Sequence, residues 1–363
     1  MPSPDESAPA RRRLALATVL GESSYDAMLV TSRDNMRYLS GFTGSNGALL
    51  VDGTGEAVLA TDGRYVAQAA TEAADCKCLP ARSILGALVG RAVERKLTTV
   101  GFEAHVVTVD QHAALEQAAG GAVRLAPAGR PVEGLRVVKD PGELAHLRRA
   151  CEITAAAYAE VLSALRPGIC ERDVAWRLTE AMRRHGAEGP AFDIIAAFGE
   201  HSAIPHHTPT DRELRRGDLI KLDFGAKVAG YHADMTRTAV CGPAADWQRE
   251  IHGEVAELQA ELRDSVTAGV VPADLDAQMR SGLHAQGREV AHGLGHGIGL
   301  AIHEDPFLTE SSAAAPLACD SVITIEPGVY LPGRGGVRIE DSVVVTSGSP
   351  DILTAATRDL VEV

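Results

Sequence analysis

Asp223, Asp234, His296, Glu326 and Glu340 stand in five short segments: LIKLDFGA (219–226), YHADMTRT (231–238), AHGLGHGIGL (291–300), VITIEPGVY (322–330) and GVRIEDSVVV (336–345). Four of the five have the apolar and β-branched character of strands, and the His296 segment is glycine-rich and loop-like. In 219–225, period-two alternation sets Ile220, Leu222 and Phe224 on one face and Lys221, Asp223 and Gly225 on the other. A turn at Val228-Ala229-Gly230 brings the chain back with His232, Asp234, Thr236 and Thr238 sharing a face. Glu326 falls in line with Val322 and Thr324, and Glu340 with Arg338 and Ser342. Any one of these acids alone fits a solvated strand face or a turn cap. Together they point to metal coordination, because gathered carboxylates repel one another and are costly to desolvate without compensating charge. Two divalent cations would balance four carboxylates and a neutral imidazole. Oxygen donors with one imidazole suit Mn2+, Co2+, Fe2+ or Zn2+, and the excess of hard oxygen tilts the expectation to manganese. Such a pair activates a water molecule and holds a substrate oxygen, so the expected chemistry is hydrolysis.

The elements that must position these residues are legible in outline. DAMLVTS (26–32), GALLVDG (47–53), EAVLATD (56–62) and TTVGFEA (98–104) read as strands, with RYVAQAATEAA (64–74) as a helix among them, which predicts a small α/β domain. The Gly- and Pro-rich stretch 120–136 lacks a sustained period and marks a boundary near residue 135. Asp140-Pro141-Gly142-Glu143 then supplies an N-cap, a proline at the first helical position and an acid three residues past the cap. The helix it starts carries Leu144, Leu147, Cys151, Tyr158, Leu162 and Leu165 on one stripe and should end by Pro167-Gly168. A second helix is expected over about 172–185, and two more near 245–267 and 272–286.

The bulk properties exclude several function classes. At 363 residues, with 45% hydrophobic and 23% charged side chains, the chain is long enough for two domains and ordinary for a globular enzyme. A net charge of −14 offers no footprint for nucleic acid. No apolar run approaches the roughly 20 residues of a membrane span. Arg11-Arg12-Arg13 before LALATVL has the outline of an export signal, but the apolar run is minimal and GESSYD is a poor cleavage region. Six cysteines lack metal-type pairing, Cys76-Lys77-Cys78 being one residue too tight for a zinc knuckle, which suits reduced thiols in a cytoplasm.

On these motifs the chain resembles the pita-bread metallopeptidases over nearly its whole length, and among them the aminopeptidase P and prolidase group. YLSGFTGSNGALLV (38–51) and TDGRY (61–65) are similar to the accessory domain of bacterial Xaa-Pro aminopeptidases. The resemblance implies a mixed α/β fold with a creatinase-like domain over 1–134 and a pita-bread catalytic domain over 135–363. It implies that Asp234 and Glu340 bridge two ions, that Asp223 completes one site, and that His296 and Glu326 complete the other. His206, in SAIPHHTPTDR, would bond the scissile amide or its developing amine. His303 would contact the substrate carbonyl, His292 would line the pocket, and Glu326 would double as proton shuttle. Arg338 would orient Glu340 or bind a substrate carboxylate. The motif gives His232 and His207 no role. FGEHS (198–202) departs from the family's usual run there, which bears on side-chain preference. The implied activity is release of an N-terminal residue preceding proline by a homodimeric cytoplasmic enzyme. The alternatives are a dipeptidase cleaving Xaa-Pro and a non-catalytic peptide-binding module on the same fold.

Overall fold

Short apolar runs in the first third of the chain pair into one six-stranded sheet, as their alternation with helices predicts. The computed structural model describes residues 7–363, and the chain forms two compact units that divide between Arg136 and Val137. The first contains α1 (Ala8–Glu22), β1 (Ala27–Val30), α2 (Arg33–Ser40), β2 (Gly47–Asp52), β3 (Ala57–Thr61), α3 (Val66–Glu72), β4 (Lys77–Pro80), α4 (Ile84–Glu94), β5 (Thr99–Phe102), α5 (Val109–Ala119), β6 (Arg124–Pro127) and α6 (Pro131–Val137). The sheet order is β4-β3-β2-β1-β5-β6. Strands β1, β2 and β3 pair antiparallel, and β4, β5 and β6 join in parallel.

Two stretches hold regular elements that the sequence reading did not assign. The stretch 120–136 is not a bare linker, for it holds β6 and α6. Its prolines are compatible with both: β6 is an edge strand, where a missing N–H costs no ladder bond on the open side, and Pro131 opens α6. The arginine run and the apolar residues after it form α1, with the buried Arg13 guanidinium donating to the carbonyls of Leu39 (2.8 Å) and Gly55 (3.1 Å) and to Asp75 (3.0 Å). No described helix is long and apolar enough to cross a membrane.

The second unit runs α7 (Pro141–Ser163), α8 (Glu171–Arg184), β7 (Gly189–Pro190), β8 (Ile195–Phe198), β9 (Leu219–Phe224), β10 (Ala226–Val228), β11 (Tyr231–His232), β12 (Met235–Val240), α9 (Asp246–Asp264), α10 (Pro272–Ala285), β13 (Gly295–Gly297), β14 (Glu304–Leu308), β15 (Val322–Ile325), β16 (Gly328–Leu331), β17 (Gly335–Arg338), β18 (Asp341–Val344) and β19 (Asp351–Ile352). The capping box at α7 forms as its sequence requires: the Asp140 carboxylate accepts from Glu143 N and the Glu143 carboxylate from Asp140 N, each at 2.9 Å. The helix stops at Ser163, short of Pro167, since the residues leading into a proline already disfavour helical geometry.

Two cores organise this unit. Ile153, Ala157 and Tyr158 of α7 and Val174 and Leu178 of α8 pack on Ile220, Leu222 and Phe224 of β9. Ile251, Val255 and Leu262 of α9 and Leu275 and Met279 of α10 pack on Ile323 and Ile325 of β15, Val337 of β17 and Val343 of β18. Truncating fully buried Phe224 to Ala would cost about 3–5 kcal/mol. In each half the helices cover one strand face, so the alternate side chains, Lys221 and Asp223 on β9 and Thr324 on β15, point away from them.

Candidate metal centre

Asp223 sits directly opposite Thr236 in the antiparallel β9–β12 ladder. Between these strands the chain turns at Ala229 and Gly230, both at positive φ (47° and 76°), and β10 and β11 form a small hairpin beyond Gly225. A Cβ on Gly225 would lie 1.6 Å from the Ala233 carbonyl oxygen, so only glycine lets the two strands converge just before Asp234. Asp234 itself lies in the break between β11 and β12.

The other three positions depart from the expected pattern. His296 lies within strand β13, whose register shifts just after it, whereas a loop was expected. A Cβ on Gly295 would meet the Thr324 carbonyl oxygen at 2.1 Å, so glycine is needed for β13 to lie against β15. Glu326 follows the last residue of β15, and Glu340 precedes the first of β18. Strand ends and bulges release side chains from strict alternation, which lets acids from several strands aim at one point.

All five residues line one cavity of about 580 Å3, together with His206, His292, His303 and Arg338. His296 Nδ1 lies 3.1 Å from the Gly297 carbonyl, which can only accept, so the ring proton sits on Nδ1 and the Nε2 lone pair faces the cavity. Burial, then the neighbouring His303, hold this imidazole down at about 4, so it is neutral at physiological pH. Nε2 lies 3.7 Å from Asp234 Oδ2 and 3.6 Å from Glu326 Oε1. Those gaps are too long for hydrogen bonds. Ligand atoms of Asp234, His296 and Glu340 all lie within 4.8 Å of one another.

The acids are left incomplete by the protein around them. Asp223 Oδ1, Asp234 Oδ1 and Glu340 Oε1 are buried and, among the described residues, have no hydrogen-bond partner. Their neighbours Asp223 Oδ2 and Glu340 Oε2 are satisfied, by Arg338 Nη2 and by Thr236 Oγ1 (2.7 Å) respectively. Burial, then mutual repulsion, push the carboxyls of Asp234 and Glu340 well above their usual range. Burial, then Asp223, push Glu326 up to about 8 against the opposing pull of Arg338. Orphaned carboxylate oxygens beside a neutral imidazole, in a cluster too crowded with negative charge to stay ionised unaided, fit divalent cations.

The remaining expected residues fall into distinct settings. The His206 ring is exposed in the cavity and, among the described residues, has no hydrogen-bond partner. His303 is exposed and lines the cavity, edge-on to His296 at 4.3 Å between ring centroids. His292 has both nitrogens committed, Nδ1 to the Gly293 carbonyl (2.8 Å) and Nε2 to the Tyr330 hydroxyl (2.9 Å), which leaves it a wall of the cavity. Arg338 bonds Asp223, Thr236 Oγ1 (3.0 Å), the Tyr330 hydroxyl (2.7 Å) and the Pro205 carbonyl (3.3 Å). It reaches Glu340 only through the Thr236 hydroxyl. His232 bonds the Gly299 carbonyl with Nδ1 at 3.1 Å. His207, given no role from sequence, is buried, lines the cavity and bonds Glu171. Glu200 pairs with Arg212 and His201 with Glu171, and neither lines the cavity.

Sequence reasoning missed Tyr330, the Thr236 hydroxyl and Lys221 as parts of the site. Thr236 shares the Asp234 face in the alternation, which was a usable signal. Lys221 shares the Asp223 face; it is fully buried, and burial, then Arg338, push its ammonium down to about 6. Its Nζ donates to the Ile204 (2.6 Å) and Pro205 (3.2 Å) carbonyls.

Comparison with known proteins follows the same division of the chain. The model of metallopeptidase family M24 matches residues 145–347, and the creatinase/prolidase N-terminal domain matches residues 12–138. A Xaa-Pro dipeptidase of Pyrococcus furiosus is 39% identical over 231 residues, covering 63% of this chain and 66% of that protein. The solved Xaa-Pro dipeptidase from Bacillus anthracis superposes with a TM-score of 0.93 at 34% identity, covering 98% of this chain and 100% of that one. The X-Pro aminopeptidase from Thermotoga maritima superposes with a TM-score of 0.90 at 34% identity, covering 98% and 99%.

Proposed function

Because the chain belongs to metallopeptidase family M24, we propose that it is a Xaa-Pro dipeptidase that hydrolyses the bond between a residue and a C-terminal proline, using two divalent ions. The observation that carries the dipeptidase reading is the end-to-end likeness to the Bacillus anthracis Xaa-Pro dipeptidase. This reverses the ranking from sequence, which put release of single residues from longer peptides first. Aminopeptidase activity is the second reading, favoured by the likeness to the Thermotoga maritima enzyme.

Asp223, Asp234, His296, Glu326 and Glu340 would hold the ions, Asp234 and Glu340 serving both. A bound pair supplies Lewis acidity that makes water nucleophilic near neutral pH and polarises a carbonyl. Around it, Arg338 holds Asp223 in place and Thr236 holds Glu340. Glu326 accepts the proton released by the attacking water and passes it to the departing amine. His206, without a ring partner among the described residues, bonds the peptide nitrogen. His303 donates to the carbonyl oxygen as charge develops there. Phe192, Ile195, Ile302 and Phe307 supply the apolar wall of the cavity.

Manganese fits the oxygen-rich donor set best, with cobalt or zinc next. A cytoplasmic setting is supported by six cysteines outside any disulfide, and a homodimer by the resemblance. The test is turnover of matched Xaa-Pro and Xaa-Pro-Yaa peptides by Mn2+-loaded protein. Cleavage of the dipeptides alone supports the proposal, and preference for tripeptides replaces it with the aminopeptidase reading. Full turnover after chelation and dialysis would reject the mechanism.

A further inference from the structure

Among the described residues the His206 ring has no hydrogen-bond partner to aim it, so its direction depends on the backbone that carries it. That backbone is pinned on both sides. Just before it, buried Lys221 donates to the carbonyls of Ile204 (2.6 Å) and Pro205 (3.2 Å). Just after it, the carboxylate of Glu171, the fully buried first residue of α8, gathers the chain. Its Oε2 accepts from His207 Nε2 (2.8 Å), Thr210 N (3.0 Å) and Thr210 Oγ1 (2.7 Å). Its Oε1 accepts from Phe198 N and His201 Nδ1, both at 2.9 Å. Burial would raise this carboxyl, but the bonds from His207, Thr210 and Phe198 hold it below its usual value, so it is ionised at neutral pH.

Glu171, His201 and His207 also form a grouping of metal-ligating atoms. Five donors saturate the roughly four lone-pair sites of a carboxylate, and both imidazoles touch it at hydrogen-bond distance, which leaves no place for an ion. The same bonds account for His201 in the unusual FGEHS run: it is a tether for the loop that precedes His206.

We infer that Glu171 and Lys221 are positioning residues for His206, clamping the chain before and after it so that its ring stays aimed into the cavity. The inference rests on the proposed action of His206 on substrate. Neither residue touches the substrate; each acts through the loop.

A double-mutant cycle tests this on the Mn2+-loaded chain with an Xaa-Pro dipeptide. Glu171→Gln and Lys221→Met should each lower kcat by about tenfold or more, with KM within about twofold and metal content unchanged. In a His206→Ala background, each should cost less than about twofold, because the group they aim is gone. Amide hydrogen exchange over 203–210 should quicken in Glu171→Gln while that of β9 stays constant. Equal losses with and without His206, or unchanged kcat and exchange, would overturn the inference. A silent His206→Ala would instead remove the proposed role of His206, and the inference with it, before any clamp residue is altered. Should Glu171→Gln fail to fold, Thr210→Val cuts the same tether more gently and enters the same cycle.

Discussion

Replacing Thr236 by valine removes one hydroxyl and little else, which makes it a sharp probe of the site. Thr236 is fully buried on β12, opposite Asp223, and valine is close to it in size and equally at home in a strand. Its backbone carbonyl, which accepts from Glu340 N (3.1 Å) and Arg237 Nη1 (2.9 Å), is untouched by the change. What disappears is the hydroxyl bridge, donating to Glu340 Oε2 at 2.7 Å and accepting from Arg338 Nε at 3.0 Å. Bonds to charged groups contribute about 1.5–3 kcal/mol each, and both charged partners here stay buried without replacement. Part of that loss falls on folding and part on the metal, since Glu340 loses the bond that fixes its carboxylate. Removing a hydrogen bond of this kind to a ligand weakens metal binding by about 10–100-fold. Competition titration of Mn2+ against a chelator measures it directly. Thr236→Ser, which keeps the hydroxyl, should bind close to the unaltered protein. Affinity of Thr236→Val within about twofold of the unaltered protein, or Thr236→Ser as weak as Thr236→Val, would refute the reasoning.

Three further outcomes are expected. His206→Ala should keep its metal content and lose about 10^2–10^4-fold in kcat, read by paired metal analysis and kinetics; loss of metal would reassign the residue. The metal-free protein carries Asp234, Glu326 and Glu340 with carboxyls raised by burial first and by neighbouring acids second. A folded-state pKa above the unfolded one favours the fold at low pH and withdraws that support as pH climbs, here through about 8 for Glu326. Its Tm should therefore fall between about pH 5.5 and 8.5, and a flat or rising profile contradicts the assignment. Arg237 is fully buried and donates to the Thr236, Glu340 and Ala356 carbonyls and to Asp341 (2.8 Å). Arg237→Met strips a buried pair of one partner and should cost about 3–5 kcal/mol in urea unfolding; a loss under about 1 kcal/mol would show that Asp341 is satisfied by its other partners.

Local features were legible in the sequence where one segment decides the outcome. The Asp140 capping box and the alternation that separates Asp223 from Ile220, Leu222 and Phe224 are of this kind. Features set by distant segments were not. Gly295-His296-Gly297 has poor intrinsic strand propensity, yet forms a strand whose two glycines let it lie close to its neighbours, Gly295 against Thr324 of β15 and Gly297 against Asp305 of β14. Arg338 was expected beside Glu340, two positions along the chain, and instead bonds Asp223, 115 residues away. Arg338 is the last residue of β17, which lies near β9, the strand that carries Asp223. Tyr330 and Glu171 gave no sign of their part and Lys221 showed only its place on the Asp223 face, since each acts on a loop or side chain that only the folded chain brings near.

Anomalous diffraction from crystals of the Mn2+-loaded protein tests the central claim most directly. The account predicts two peaks per chain, one against Asp223, Asp234 and Glu340 and the other against Asp234, His296, Glu326 and Glu340. A single peak elsewhere, or density among Glu171, His201 and His207 with none between Asp234 and Glu340, would contradict it.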